Sequence, residues 1–165
     1  MIRPDPIQPR QGQESVWDYP RPPRLEPTSR RVVVQFAGVT IADSRQAQRV
    51  LETSPPPTYY NPRGDVRMDL LVGVDRTSWC EWKGRAEYFT VQVDDRAAQA
   101  AAWSYPEPTR VFAPIAGHIA FYCAAMDRCT VDGEEARPQP GGFYGGWVTD
   151  DIVGPFKGEP GTSGW

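Results

Sequence analysis

Proline and glycine restrict this chain more than any other feature: of its 165 residues, 18 are proline and 15 are glycine. Proline lacks the N–H that an inner helical turn needs and collides with the turn before it, and glycine in a helix costs about 1 kcal/mol relative to alanine. Both are tolerated in turns and at strand ends, so their density predicts many short strands joined by tight connections. The length suits one domain with one hydrophobic core. Six Trp, seven Tyr and six Phe supply the large apolar surfaces that such a core buries.

The prolines are unevenly spread. Pro4, Pro6, Pro9, Pro20, Pro22, Pro23 and Pro27 crowd the start with few aliphatic residues between them. Residues 1–29 therefore read as an extended, polyproline-like arm and 30–165 as a single β domain. Trp17 and Tyr19 predict that the middle of the arm lies against the domain, while Met1 to Gln13 reads as mobile.

Within the domain, Arg31 to Phe36 and Val39 to Ala42, separated by Gly38, predict a hairpin. Asp43 to Glu52 reads as a short helix, with Ser44 as its cap and Ala47, Val50 and Leu51 at helical spacing, ending before Pro55. A turn at Asn61 to Gly64 leads into a strand over Asp65 to Val74. Arg85 to Val93 alternates as a central strand should. Asp94 to Trp103, alanine-rich with acids at its start, reads either as a helix of two or three turns or as a surface loop. Ile115 to Tyr122 predicts a fully buried strand, and Val131-Asp-Gly133 a tight turn. Arg137 to Trp165, rich in Pro, Gly and aromatic rings, has no helix-forming stretch and predicts an extended strap over the domain.

A net charge of −3 supplies no broad positive field, which argues against a nucleic-acid partner. No apolar run approaches the roughly 20 residues needed to cross a bilayer, and the Pro-rich start lacks the apolar stretch of a secretory signal. These features predict a cytoplasmic protein with no membrane partner. Three cysteines, an odd number, read as reduced thiols and not as a disulfide framework.

The segments Tyr59-Tyr60-Asn61-Pro62, Cys80-Glu81-Trp82-Lys83-Gly84, Ala102-Trp103-Ser104-Tyr105-Pro106 and Asp132-Gly133-Glu134 together resemble the family known as domain of unknown function 427, over Val32 to Ala136. That family carries a nucleotidyltransferase label and a fold placed near the β-tent proteins, which include methionine sulfoxide reductase B and the thalidomide-binding domain of cereblon. The resemblance implies antiparallel sheets with a cleft between them. With the residue patterns, the expectation is a mainly β chain: an antiparallel β-tent or barrel-like sandwich with one or two short helices. Many β-tent relatives hold zinc with paired Cys-x-x-Cys knuckles, and none is present in this sequence. Architecture alone assigns no activity.

Each chemically suggestive group has a plainer counterpart. Cys80 and Lys83 are spaced so that a turn could bring the ammonium to the sulfur and favour a nucleophilic thiolate; the alternative is a structural Cys beside a paired Lys. His118, Cys123 and Cys129, with Cys80 as a fourth ligand, miss the two-to-four-residue spacing of structural zinc, so no metal is expected and the two later cysteines read as packing residues. Nucleotidyl transfer needs two or three carboxylates converging on Mg²⁺. Asp94-Asp95 and Asp150-Asp151 would diverge on a strand, and Asp132 and Glu134 flank a turn glycine. Lys157 in the glycine-rich tail fits neither a P-loop nor a dinucleotide fingerprint.

The aromatic residues Tyr60, Trp82, Trp103, Tyr105 and Trp147 sit beside turns. They read either as the lining of a cleft or as filler of a Pro-rich core. Glu52, at the end of the expected helix, could turn its carboxylate toward Lys83. The leading expectation is a small-molecule-binding β domain without a cofactor, whose ligand is held by these rings, with Cys80, Lys83 and Glu52 as the chemical groups if it is an enzyme. The alternatives are a Mg²⁺-dependent nucleotidyltransferase and a protein-interaction module that uses the Pro-rich arm.

Overall fold

A computed structural model describes residues 3–165. Its strands are β1 (Glu14–Ser15), β2 (Arg24–Pro27), β3 (Val32–Phe36), β4 (Val39–Ser44), β5 (Gln48–Leu51), β6 (Thr58–Tyr60), β7 (Leu71–Cys80) and β8 (Gly84–Val93). They continue as β9 (Arg96–Ser104), β10 (Ala120–Phe121), β11 (Arg128–Val131), β12 (Glu134–Glu135), β13 (Arg137–Pro138), β14 (Trp147–Val148) and β15 (Ile152–Val153). Short 3-10 turns connect some of them, and no α-helix occurs among the described residues. No helix among the described residues is long and apolar enough to cross a membrane.

The strands form a β sandwich of separate sheets and no closed barrel. Two four-stranded sheets, ordered β12-β11-β3-β4 and β10-β9-β8-β7, are joined by a three-stranded sheet β2-β5-β6 and by the small pairs β1-β15 and β13-β14. Only β1 and β15 run parallel. The expected hairpin of β3 and β4 is present, with Ala37 and Gly38 at positive φ in its turn. Asp132 and Gly133, also at positive φ, turn β11 into β12 as the sequence predicts.

Strand β8 explains why the sheet it belongs to is covered on both sides. Phe89, Val91 and Val93 face the main core with Val34, Ile41 and Phe121. Ala86 and Tyr88 face a second cluster with Tyr60, Trp103 and Tyr105. Neighbouring Tyr59 and Tyr60 on β6 part in the same way, Tyr59 into the main core and Tyr60 into the second cluster.

Four expected elements differ: the strand expected over Asp65 to Val74 begins only at Leu71, after 3-10 turns at Arg63–Asp65 and Met68–Leu70, and three others depart further. Asp43 to Glu52 contains no helix: Ser44, the expected cap, bonds Asp65 Oδ2 at 2.7 Å and accepts from the Gln46 N–H at 3.0 Å, closing a turn between β4 and β5. Strand β5 then lies between β2 and β6, with Arg49, Val50 and Leu51 all buried. Burial on both faces erases the alternation that would have marked a strand. Asp94 to Trp103 is likewise neither helix nor loop. Asp94 and Asp95 form the turn from β8, and the alanines belong to β9, an inner strand, where sheet pairing overrides their helix propensity. Ile115 to Tyr122 is a strand only at Ala120–Phe121, because Pro114 lies in a 3-10 turn and Gly117 adopts positive φ. Ile115, Ile119, Ala120 and Phe121 are buried, but His118 sits half-exposed in the turn.

The arm packs on the domain. Val16, Trp17 and Tyr19 form a third apolar cluster with Leu51 and Ile152. Arg49, its side chain 7% exposed, reaches Glu14 of β1 at 2.9 Å and Glu26 of β2 at 2.6 Å. The Ile7 N–H bonds the Gly154 carbonyl at 2.9 Å, and Arg3 stacks over Trp17 at 4.9 Å. Of the stretch expected to be mobile, Met1 and Ile2 lie outside the described residues.

Candidate functional site

The second aromatic cluster does not fill its space. A cavity of about 320 Å³ opens beside it, bounded by β5, β6, β7, β8, β9 and the segment Gln139 to Gly145. Tyr60, Glu52, Cys80, Lys83, Trp103 and Tyr105 all line it. Six residues singled out from sequence thus converge from four strands and their ends.

Each arrives for a local reason. Cys80 ends β7 and pairs with Gly84 at the start of β8, so the hairpin Cys80-Glu81-Trp82-Lys83-Gly84 brings both Cys80 and Lys83 to the cavity wall. Gly84 adopts φ +96, a region that suits glycine. Glu52 follows β5, not a helix, and its carboxylate meets Arg21 of the arm at 3.2 Å. Lys83 has no carboxylate partner among the described residues; its Nζ lies over the rings of Tyr105 and Phe112, at 5.6 and 6.0 Å from their centroids.

The rings support one another. Trp103 Nε1 donates to Tyr60 Oη at 3.2 Å, and the Trp103 ring packs on Tyr122 with centroids 4.6 Å apart. Tyr60 and Tyr105 lie 6.2 Å apart. Burial raises the pKa of both phenols, opposed at Tyr60 by the Trp103 hydrogen bond and at Tyr105 by the Lys83 charge. Both hydroxyls therefore stay protonated at neutral pH and can serve as hydrogen-bond donors.

The strap closes one side. Gln139, 3% exposed, donates to the Lys157 carbonyl at 2.8 Å and accepts from the Gly146 N–H at 3.0 Å, which pins both limbs of the Gly-rich segment. At Gly145 any Cβ would collide with the six-membered ring of Trp103, so only glycine lets the strap come this close to the cavity wall.

Two expected ligand-binding residues lie elsewhere. Trp147 is 1% exposed in the main core, stacked on Tyr59 at 5.3 Å and donating Nε1 to the Phe121 carbonyl at 3.0 Å. It is filler, because β14 turns its ring away from the cavity side of the strap. Trp82 is half-buried at the edge of the aromatic cluster, where its carbonyl accepts from Thr109 Oγ1 at 2.6 Å, and it does not line the cavity.

The sequence reading missed Arg76, Ser78, Tyr88 and Tyr122, which also line the cavity. Ser78 Oγ and Tyr88 Oη are bonded at 2.7 Å, and the Arg76 guanidinium lies 4.4 Å over the Tyr88 ring. Ser78 stands two residues before Cys80 on the same strand, and that period-two spacing was the signal available for finding it.

Of the carboxylates weighed for metal chemistry, Asp94 and Asp95 lie exposed in the β8–β9 turn, and the other four are engaged away from the cavity. Asp151 pairs with Arg30 at 2.8 Å, Asp150 with Arg137 at 3.2 Å, and Asp132 with Arg30 at 3.3 Å, while Glu134 accepts from the Asp150 N–H at 2.6 Å. Among the described residues, no three His, Cys, Asp or Glu side chains converge as metal ligands. Cys123 Sγ donates to the Ala136 carbonyl at 3.2 Å; the neighbouring Cys129 thiol lowers the pKa of Cys123, and Cys123 together with burial raises that of Cys129.

No curated protein matches this chain. A family model described as a domain of unknown function (DUF427), with the short label NTP_transf_9, matches residues 24–132. The matched stretch runs from β2 to the β11–β12 turn, and so contains every strand that builds the cavity except the closing strap. The chain therefore belongs to the domain of unknown function 427 family.

Proposed function

We propose that this protein binds a small, planar organic anion in the aromatic cavity. The observation that carries this reading is Lys83: an ammonium without a carboxylate partner among the described residues, set over Tyr105 and Phe112 and lining a ring-walled cavity of about 320 Å³. Ligand cavities are mostly apolar and aromatic, begin at about 300 Å³, and carry a few converging polar groups. In this reading Lys83 holds the anionic group, and Tyr60, Trp103 and Tyr105 enclose the planar part. The buried Tyr105 phenol faces the same space as a hydrogen-bond donor. Cys80 is either a wall of the site or, in a catalytic version of it, the nucleophile beside Lys83.

Nucleotidyl transfer finds less support. The cavity's single carboxylate, Glu52, is already paired with Arg21, so the residues do not fit a site of two or three carboxylates around Mg²⁺.

A thermal-shift screen of nucleotides, amino acids and cyclic imides tests the binding reading. At a ligand concentration a hundred times the dissociation constant, binding adds about 2.7 kcal/mol, or roughly 5–10 °C in melting temperature for a chain of this size. The expected result is a ligand that stabilises wild type and loses most of that effect in Lys83→Met and Trp103→Phe. If every compound leaves the wild-type transition unmoved, or stabilises the variants equally, the cavity is not a binding site.

A further inference from the structure

A second cavity of about 360 Å³ adjoins the first. The two share Arg76, Tyr122, Gln139, Phe143, Tyr144 and Gly145 as common walls. The floor of the second is made by Gln99, Ala100 and Ala101 of β9 and by Cys123, Ala124 and Ala125, small or neutral groups that leave the space open. Its only charged lining residue is Arg76.

Arg76 is placed there by a defect in the sheet. The pairing of β7 with β8 slips between Val74 and Thr77: Val74 faces Tyr88 and Thr77 faces Glu87, so Asp75 and Arg76 are extra residues in the edge strand. Such bulges re-aim side chains and are over-represented beside functional sites. This one lays the Arg76 guanidinium over the Tyr88 ring at 4.4 Å, at the junction of the cavities. Other arginines of the chain, such as Arg30, Arg31, Arg49 and Arg96, are matched with carboxylates, but Arg76 has none among the described residues. Tyr122 stands between the cavities, stacked on Trp103 and donating to the Phe143 carbonyl at 3.3 Å. Trp79 and Phe143 line the first cavity although 75% and 74% exposed, which gives its mouth an aromatic rim.

We infer that Arg76 is an anion-anchoring residue shared by both cavities, and that the ligand is a two-part aromatic anion: one ring system against Trp103, a second apolar portion over Ala100 and Ala124, and a sulfonate-, carboxylate- or phosphate-type group between them at Arg76. This rests on the reading of the first cavity as a binding site and extends it. A guanidinium bonds such oxygens in a fixed, forked geometry that an ammonium cannot reproduce. With Lys83 lining the first cavity alone and Arg76 lining both, the two cations are set for an anion that extends from one cavity into the other.

Two fluorescent probes separate charge from shape: 8-anilinonaphthalene-1-sulfonate, and the uncharged N-phenyl-1-naphthylamine, which has the same linked rings without the sulfonate. Wild type is expected to hold the sulfonate more tightly than the neutral amine. Arg76→Gln is expected to weaken the sulfonate about 10- to 100-fold, the range for loss of a charge-assisted contact, and to leave the neutral probe within about twofold. Arg76→Lys should recover only part of the loss. Ala124→Trp, at an exposed position, should weaken both two-ring probes and leave single-ring benzenesulfonate unaffected. If Trp103→Phe weakens the sulfonate but Arg76→Gln and Ala124→Trp do not, the two-cavity inference is wrong and the single-cavity reading survives. If wild type holds neither the sulfonate nor benzenesulfonate, both are wrong.

Discussion

Replacing Arg49 with methionine removes the charge that ties the N-terminal arm to the domain and keeps most of the side-chain volume. Arg49 makes three charge-assisted hydrogen bonds: to Glu14 Oε1 at 2.9 Å, Glu14 Oε2 at 3.1 Å and Glu26 Oε1 at 2.6 Å. Breaking a fully buried ion pair by deleting one partner costs about 3–5 kcal/mol. Arg49 is 7% exposed, but Glu14 and Glu26 are 41% and 39% exposed, so water can re-solvate both carboxylates once the guanidinium is gone. That moves the expectation to about 2–3 kcal/mol, or roughly 5–10 °C in melting temperature. The acid limb should change as well. Burial alone would raise the pKa of Glu14, but hydrogen bonds from Arg49 and Tyr19 and the Arg49 charge outweigh it and bring the group below its ordinary 4.5. A carboxylate depressed on folding contributes stability that is complete above its unfolded pKa and is lost as pH falls through the folded value. Wild type should therefore lose a stability increment below about pH 4.5 that Arg49→Met lacks. Urea titrations from pH 3 to 7 measure both effects, and limited proteolysis should show the arm cleaved sooner in the variant. A variant that melts within about 1 °C of wild type, with the same acid limb, would refute the reasoning.

Other substitutions test other joints. Gly145→Ala forces a methyl group into the Trp103 ring and should cost about 1–3 kcal/mol as overpacking, with a shift in tryptophan emission. Trp147→Phe keeps a ring beside Tyr59 but leaves the Phe121 carbonyl without its donor, so a loss of about 1–3 kcal/mol is expected in urea denaturation, and Trp147→Ala should cost about 3–5 kcal/mol. In the native protein, iodoacetamide followed by mass spectrometry should modify the half-buried Cys80 and Cys123 well before Cys129, which is 1% exposed; equal labelling of all three would contradict the packing described for Cys129.

Features that depend on one strand and its own turn were readable from sequence. The β3–β4 hairpin, strand β8 and the Asp132-Gly133 turn follow from alternation and turn chemistry over a few residues. Segments buried on both faces were not. Arg49-Val50-Leu51 and the alanines of β9 have no alternation to read, so local helix propensity gave the wrong answer where neighbouring strands decide the outcome. The cavity was legible to a similar degree. Tyr60, Trp103 and Tyr105 beside turns, with Cys80 and Lys83 flanking one, did converge. Trp147 looked equivalent in composition, but one strand register turned it into the core. Arg76 could not be found from spacing alone, because its position depends on a bulge that exists only relative to β8.

A crystallographic fragment screen with small aromatic carboxylates and phosphates asks most directly whether the rings surround a ligand. Fragments whose anionic oxygens lie within hydrogen-bonding distance of Lys83 or Arg76, and whose rings lie against Trp103 and Tyr105, are the predicted result. Fragments confined to the outer surface, with Tyr60, Trp103 and Tyr105 closed together and no density between them, would contradict it.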